Sequence, residues 1–422
     1  MLDIVAILVV LTATFSYVNH RFLRLPMTIG VMSIALAVSL GVVGLGKLGY
    51  EMPVGREHAL LNSIDFPEVL MQGMLSFLLF AGALHVDVKL LRSVAWQMAA
   101  LALLGTTLST LIIGYGGWYL LSAVGISTPL IYCLLFGALI SPTDPIAVLS
   151  VLRSANVQRE VEATIAGESL VNDGVGVVLF TLLLGVLNGG AVPTPGEAVT
   201  LFVRDALGGA LFGGALGYVV YRILRTIDHP QVEVLITIAT VVGGYALAQQ
   251  LHVSGPLAMV ACGLLIGSAG RSFGMSGSTR MHVDIFWQLL DELLNGVLFL
   301  LIGLAFTVIT FPPGSLLAAV CVVPLSLLAR FLVVGVPTMA LPRWFRLPAG
   351  SGLLMTWSGV RGGISVALAL SLPLGSDRDV VVMLTYAVVV FSILVQGLTV
   401  GRLARALGIG RAASTSPAPD HG

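Results

Sequence analysis

What most constrains this chain is a repeated pattern. Apolar runs of about twenty residues follow one another from residue 2 to beyond residue 400, parted by short polar turns. A helix satisfies its own backbone hydrogen bonds, so a run of this length and composition is what a bilayer accepts as a crossing element. Soluble domains carry about 25% charged residues. Here the share is 10%, and 57% of the residues are hydrophobic. That much apolar surface does not fit one aqueous core, so lipid is the implied solvent. The expected fold class is an all-α polytopic membrane protein.

Thirteen spans are predicted, at 2–19, 26–44, 64–85, 93–123, 129–152, 160–187, 197–221, 231–250, 255–270, 284–309, 313–341, 351–373 and 379–407. The first begins straight after Met1-Leu2-Asp3 with no positive stretch before it, so it reads as a retained span rather than a cleaved leader. Lys and Arg favour cytoplasmic loops. With thirteen spans, one alternate set of loops holds fifteen of them, from Arg21 and Arg24 through Arg153 and Arg159 to Arg405 and Arg411; the other holds Lys47, Arg56 and Arg378. A miscounted span would mix the two sets. The N-terminus is therefore expected outside and the C-terminus in the cytoplasm. The tail after Arg411 is expected to be disordered. Formal net charge is zero, 21 basic against 21 acidic residues, so nothing points to nucleic acid. Cys133, Cys262 and Cys321 lie inside apolar runs and read as small buried hydrophobes.

Ionisable groups at bilayer depth are costly and mark function, and four stretches hold nearly all of them. In the fifth span, Ser141-Pro142-Thr143-Asp144-Pro145 places two prolines three apart, each removing a donor and crowding the preceding turn, so the helix should unwind there. Unwound backbone at this depth is tolerated where it lines a cavity or packs in protein. The alternative is a kink with a solvent-facing Asp144. In the sixth span, Ser169, Asn172 and Asp173 stand at i, i+3 and i+4 on one face, with Glu168 beside it. Oxygen donors suit hard cations, and the lack of accompanying His or Cys argues against zinc. The alternative is a polar seam that only joins helices. In the eleventh span, Arg330 needs a carboxylate, for which Glu168 is the candidate, unless it snorkels to an interface. In the twelfth, Ser358-Gly359-Val360-Arg361-Gly362-Gly363 should weaken the helix and let Arg361 sit against exposed carbonyls at a half-helix end, with Asp144 in the opposite role near half-helix N-termini. The alternative is a Gly-rich packing surface.

The interrupted fifth and twelfth spans are seven apart, and an odd offset inverts topology. The expected architecture is thus two inverted repeats whose discontinuous helices cross at the ion site. His85, Asp87, His229 and His252 read more simply as loop or interface residues. Asp291, Glu292 and Asn295 read as beginning or lining the tenth span, either bordering an inner vestibule or solvating a helix end.

On Thr143-Asp144-Pro145, Glu168-Ser169-x-x-Asn172-Asp173, Ala329-Arg330 and Gly359-Val360-Arg361-Gly362-Gly363, in this order, the chain resembles the cation:proton antiporter family, in its NhaP-like bacterial branch, over residues 1–408. The resemblance implies sodium (or lithium) exchanged for protons across a bacterial inner membrane, for pH and sodium homeostasis, without a cofactor. It implies Asp173 as the ion- and proton-binding carboxylate, with Ser169 and the Thr143 backbone coordinating the cation. Asp144 would contact that cation directly or through water, and Asn172 would orient the site. Glu168 and Arg330 would form a structural ion pair, and Arg361 would steady the break. It also implies a homodimer with scaffold helices at 1–85 and 227–310, transport-core helices at 86–187 and 311–408, a linker helix at 188–226 and a short tail at 409–422. Some relatives carry an acid in the third span where this chain has Phe80-Ala81-Gly82, which leaves cation preference open.

A carboxyl in a low-dielectric cavity is neutralised by a proton or by a cation, so competition for Asp173 with alternating access gives obligatory exchange. Potassium in place of sodium fits the same motifs. An intramembrane hydrolase built on Asp144 and Asp173 would leave Glu168, Arg330 and the broken helices unexplained, and a channel would need a carbonyl filter that the sequence does not suggest. With Glu168 held by Arg330, one titrating acid remains and exchange should be one-for-one and electroneutral. Transport measured under a clamped membrane potential should therefore be insensitive to voltage. A rate that climbs steeply with potential would contradict this.

Overall fold

The computed structural model of the protein describes residues 2–47, 73–86, 88–190, 194–268, 277–307, 315–345 and 347–409. Arg56, Asp87, Arg271, Arg346, Arg411, the start of the third predicted span (64–72) and the tail from 410 lie outside them.

The described chain is helical. In order come α1 (Leu2–Val18), α2 (Met27–Lys47), α3 (Leu75–Leu84) and α4, which runs as Val88–Ala100 and Thr106–Ala123 through a π turn at Leu101–Gly105. Then come α5a (Leu130–Ile140), α5b (Ile146–Ser154), α6 (Arg159–Leu187), α7 (Pro195–Leu224), α8 (Pro230–Gln250), α9 (Gly255–Leu265) and α10 (Gly277–Ala305). The last are α11 (Ser315–Arg330, continuing through Phe331–Gly335 to Val336–Ala340), α12a (Ser351–Trp357), α12b (Gly363–Leu370) and α13 (Ser376–Phe391, continuing through Ser392–Gln396 to Gly397–Ala406). Nine helices among the described residues are long and apolar enough to cross a membrane, and three shorter apolar ones, Leu75–Leu84, Leu130–Ile140 and Gly255–Ser268, add to them.

Local chemistry sets the boundaries. Pro195 opens α7 behind a capping box, in which the Thr194 N–H donates to Glu197 Oε2 at 2.8 Å and Thr194 Oγ1 accepts from the Glu197 N–H at 3.3 Å. Ser254 caps α9 with its side chain alone, accepting from the Leu257 N–H at 3.3 Å. α5 stops at Ile140 because Pro142 and Pro145 cannot continue it. α10 starts earlier than its apolar content suggests. The predicted start at 284 becomes Gly277, because the stretch with Arg280, His282 and Asp284 is polar yet helical. Asp291 and Asn295, read as beginning or lining the tenth span, therefore stand well inside α10.

Two large apolar clusters hold the helices together. α3, α7, α8, α9 and α10 close around the buried Trp287, whose ring lies 4.7 Å from Phe80 and 5.5 Å from Phe286 and whose Nε1–H donates to Thr237 Oγ1 at 3.0 Å. α7 packs lengthwise along α9, and α2 along α10. The other cluster joins α4, α5a, α5b, α6, α11, α12a, α12b and α13, together with residues of α2, α3, α9 and α10. Lipid supplies no hydrophobic drive between helices, so small residues that let backbones approach carry the packing. At Gly137, where α5a meets α4, an added Cβ would lie 3.1 Å from the Gly114 nitrogen and 3.1 Å from the Thr110 carbonyl carbon. Both neighbours are backbone and cannot rotate away.

Gly137→Ala should therefore cost about 1–3 kcal/mol by overpacking, read as a lower melting temperature in detergent. Gly185→Ala in α6, with nothing within 4 Å of its added Cβ, should melt no lower than the parent. Equal melting of the two variants would contradict this packing account.

Candidate ion-binding site at the crossing of two broken helices

Two helices are interrupted in the middle of the second cluster, α5 over 141–145 and α12 over 358–362. The interruptions touch. The Asp144 N–H donates to the Val360 carbonyl at 2.7 Å. Arg361 Nη1 donates to the carbonyls of Ser141 at 2.7 Å and Pro142 at 2.9 Å, placing a guanidinium on the carbonyl end of α5a. A cation there complements the negative end of a helix dipole. Reciprocally, an added Cβ at Gly362 would lie 2.7 Å from Asp144 Cβ and 2.8 Å from its Cγ, so the Asp144 side chain lies over the backbone that begins α12b. Glycine at 362 is what lets the carboxylate approach.

α13 completes the break in α12. Ser392 Oγ accepts the Arg361 N–H at 3.0 Å, and Gln396 Nε2 donates to the Trp357 carbonyl at 2.9 Å. Both side chains lie in the π turn of α13. Sequence reasoning missed them, although a Ser and a Gln four apart in an apolar helix are a visible signal. Buried backbone groups freed by a helix break need such partners.

The polar stripe of α6 faces this crossing. The Thr143 N–H donates to Asn172 Oδ1 at 3.3 Å, Asn172 Nδ2 donates to Thr143 Oγ1 at 3.0 Å, and the hydroxyls of Thr143 and Ser169 are 3.0 Å apart. Asn172 thus holds the unwound segment by both ends of its amide. Glu168, 1% exposed, meets Arg330, 5% exposed, in a two-pronged pair: Nη1 donates to Oε1, and Nη2 to Oε2 at 2.8 Å. Arg330 therefore does not reach an interface. It runs beneath the break in α12, where a Cβ at Gly359 would lie 2.8 Å from Arg330 Nε.

A cavity of about 810 Å³ ends at this assembly. Of the eight residues singled out from the sequence, Asp144 and Asp173 line it; Thr143, Glu168, Ser169, Asn172, Arg330 and Arg361 stand behind. It opens between α5b and α6 on one side and α2, α3 and α10 on the other, toward Arg153, Arg159 and Glu162. Asp291 and Asn295 of α10 form part of the facing wall. Gly82 and His85 of α3 also line it, whereas Ala81, where some relatives carry an acid, is buried in the apolar cluster around Trp287.

The sequence of this chain matches the family model described as sodium/hydrogen exchanger, transmembrane, over residues 7–406. The chain belongs to that family. It is accordingly a multi-pass membrane protein and a secondary transporter, which removes the hydrolase reading. The Na(+)/H(+) antiporter NhaP of Pseudomonas aeruginosa is 50% identical over 416 residues, covering 97% of this chain and 98% of that one. The Na(+)/H(+) antiporter NhaH of Halobacillus aidingensis is 35% identical over 385 residues, 89% of this chain and 92% of its own. In fold, this exchanger is similar to the sodium proton antiporter MjNhaP1 of Methanocaldococcus jannaschii at pH 8, with TM-score 0.74, 20% identity and coverage of 96% and 98% of the two chains.

Removing one partner of a buried ion pair strands the other charge, at about 3–5 kcal/mol. Arg330→Met should therefore lower the melting temperature markedly, and Glu168→Met combined with Arg330→Met should recover most of the loss. A single variant that melts like the parent would show the pair to be dispensable.

Proposed function

We propose that this exchanger moves sodium (or lithium) against protons by alternating access at Asp173, one ion for one proton and without net charge movement. The observation that carries this reading is the charge arrangement at the cavity floor. Glu168 and Arg330 neutralise each other. Arg361 is committed to two carbonyls close to Asp144. At the crossing of the broken helices, the two acids Asp144 and Asp173 and the one guanidinium of Arg361 behind them leave one negative charge over, which a proton or a sodium ion can neutralise in turn. Loading either gives a site of the same total charge, so crossing the bilayer carries no charge in either direction.

In this reading Asp173 holds the ion or proton, and Asp144 contacts the cation directly or through water. Ser169 and the Thr143 backbone complete its oxygen shell, and Asn172 fixes their geometry. Arg361 steadies the break in α12, and Glu168 with Arg330 is structural. The bilayer is crossed thirteen times: the nine long helices, the shorter α3, α5 and α9, and the interrupted α12. Two inverted repeats place α5 and α12 across one another. Helices 86–187 and 311–408 form the moving core. Helices 1–85 and 227–310 form a scaffold on which two copies dimerise, 188–226 links them, and 409–422 is a short tail. The Lys and Arg bias puts the C-terminus in the cytoplasm of a bacterial inner membrane and the N-terminus outside. Arg153 and Arg159 then mark the cytoplasmic side, so the cavity faces inward. The names of the relatives support sodium over potassium.

In proteoliposomes, sodium or lithium gradients should drive proton flux and potassium gradients should not. Asp173→Asn should abolish the flux while melting temperature and oligomeric state stay as in the parent. Persistent exchange in that variant would exclude Asp173 as the shared ligand, and potassium-driven flux of equal rate would replace the cation assigned here.

A further inference from the structure

α10 stands on the opposite wall of the cavity from Asp144 and Asp173, and it belongs to the group packed around Trp287. Asp291 and Asn295 lie one turn apart on its cavity face. Asn295 is 1% exposed. Its Nδ2 donates to the Asp291 carbonyl at 2.9 Å, while its Oδ1 has no hydrogen-bond partner. Asp291 Oδ1 is likewise buried and unpartnered. Two buried oxygen acceptors left unsatisfied, one helical turn apart and on residues that line a cavity, are costly unless something supplies positive charge or a donor. A carboxylate and an amide oxygen are ligands for a hard monovalent cation. Neither the crossing of the broken helices nor the Glu168–Arg330 pair uses them.

We infer that Asp291 and Asn295 form a scaffold-side cation station that completes the ligand shell when the site faces the side of Arg153 and Arg159. This rests on the antiport reading and deepens it: the core carries Asp144 and Asp173 through the transport cycle, whereas α10 stays with the scaffold. The two oxygens therefore meet the ion in one orientation of the core and leave it in the other. Their contribution is to sodium capture from the inner side, and it is absent from capture on the outer side. The arrangement also supplies oxygen ligands that Ala81 does not bring to the cavity.

The test is sodium-driven proton flux in vesicles of the two orientations, with KM for sodium measured separately at each face. Asp291→Asn should raise the inner KM roughly tenfold, the loss of one charge-assisted contact, and leave the outer KM where it was. Asn295→Ala should act in the same direction and by less. Asp284→Asn, two turns earlier on α10 and paired with Arg280, should change neither. An unaltered inner KM in both cavity variants, or equal rises at both faces, overturns the station. So does a fall in melting temperature in both variants with no side-specific change, since that assigns the pair to folding. Absence of sodium-driven flux in the parent protein overturns the antiport reading instead, and it is read first.

Discussion

Two helices that stop in the middle of a bilayer expose carbonyls and N–H groups where no water can serve them, and satisfying those groups dictates the rest of this structure. Each break supplies the partner for the other. Arg361, from the break in α12, covers the Ser141 and Pro142 carbonyls at the end of α5a. The Asp144 N–H, from the break in α5, reaches the Val360 carbonyl. Ser392 and Gln396 from α13 and Asn172 from α6 take the remaining ends. Removing the Arg361 guanidinium would leave the carbonyl end of α5a bare in a medium where an unsatisfied polar group costs several kcal/mol.

That arrangement has an electrostatic consequence. Arg361 is spent on carbonyls and Arg330 on Glu168, so the positive charges in the core are committed before any ion arrives. What faces the cavity at its floor is carboxylate, Asp144 and Asp173. A site built this way has a standing deficit of positive charge, small enough for a proton or a bare monovalent ion to fill. Its walls come from α5b and α6 on one side and α2, α3 and α10 on the other.

Much of this is legible in the sequence. Pro142 and Pro145 announce the first break and Gly359, Gly362 and Gly363 the second. The i, i+3, i+4 spacing of Ser169, Asn172 and Asp173 by itself puts them on one helix face. What periodicity cannot reveal is which face looks into a cavity. Ser169, Asn172 and Asp173 share a stripe, yet Asp173 lines the open space while the other two bind the unwound chain behind it. The start of α10 differs from its predicted position for a related reason. Hydropathy measures what lipid tolerates, and the first turns of α10 are a polar helix that lipid does not select. Asp291 and Asn295, read as beginning or lining that span, lie deep within it and border the cavity. Ser392 and Gln396, four apart in an apolar helix, are visible as polar residues, but their partners are backbone atoms of α12, so the sequence does not reveal what they serve.

The central claim is that Asp173 holds either a proton or a sodium ion and never both. Sodium added to the detergent-solubilised protein in weakly buffered solution, near the pH where the site is half protonated, tests it without any membrane. The account predicts that bound sodium displaces protons, that saturating sodium releases the site's proton completely, and that Asp173→Asn releases none. Sodium binding with no proton release in the parent protein would contradict it.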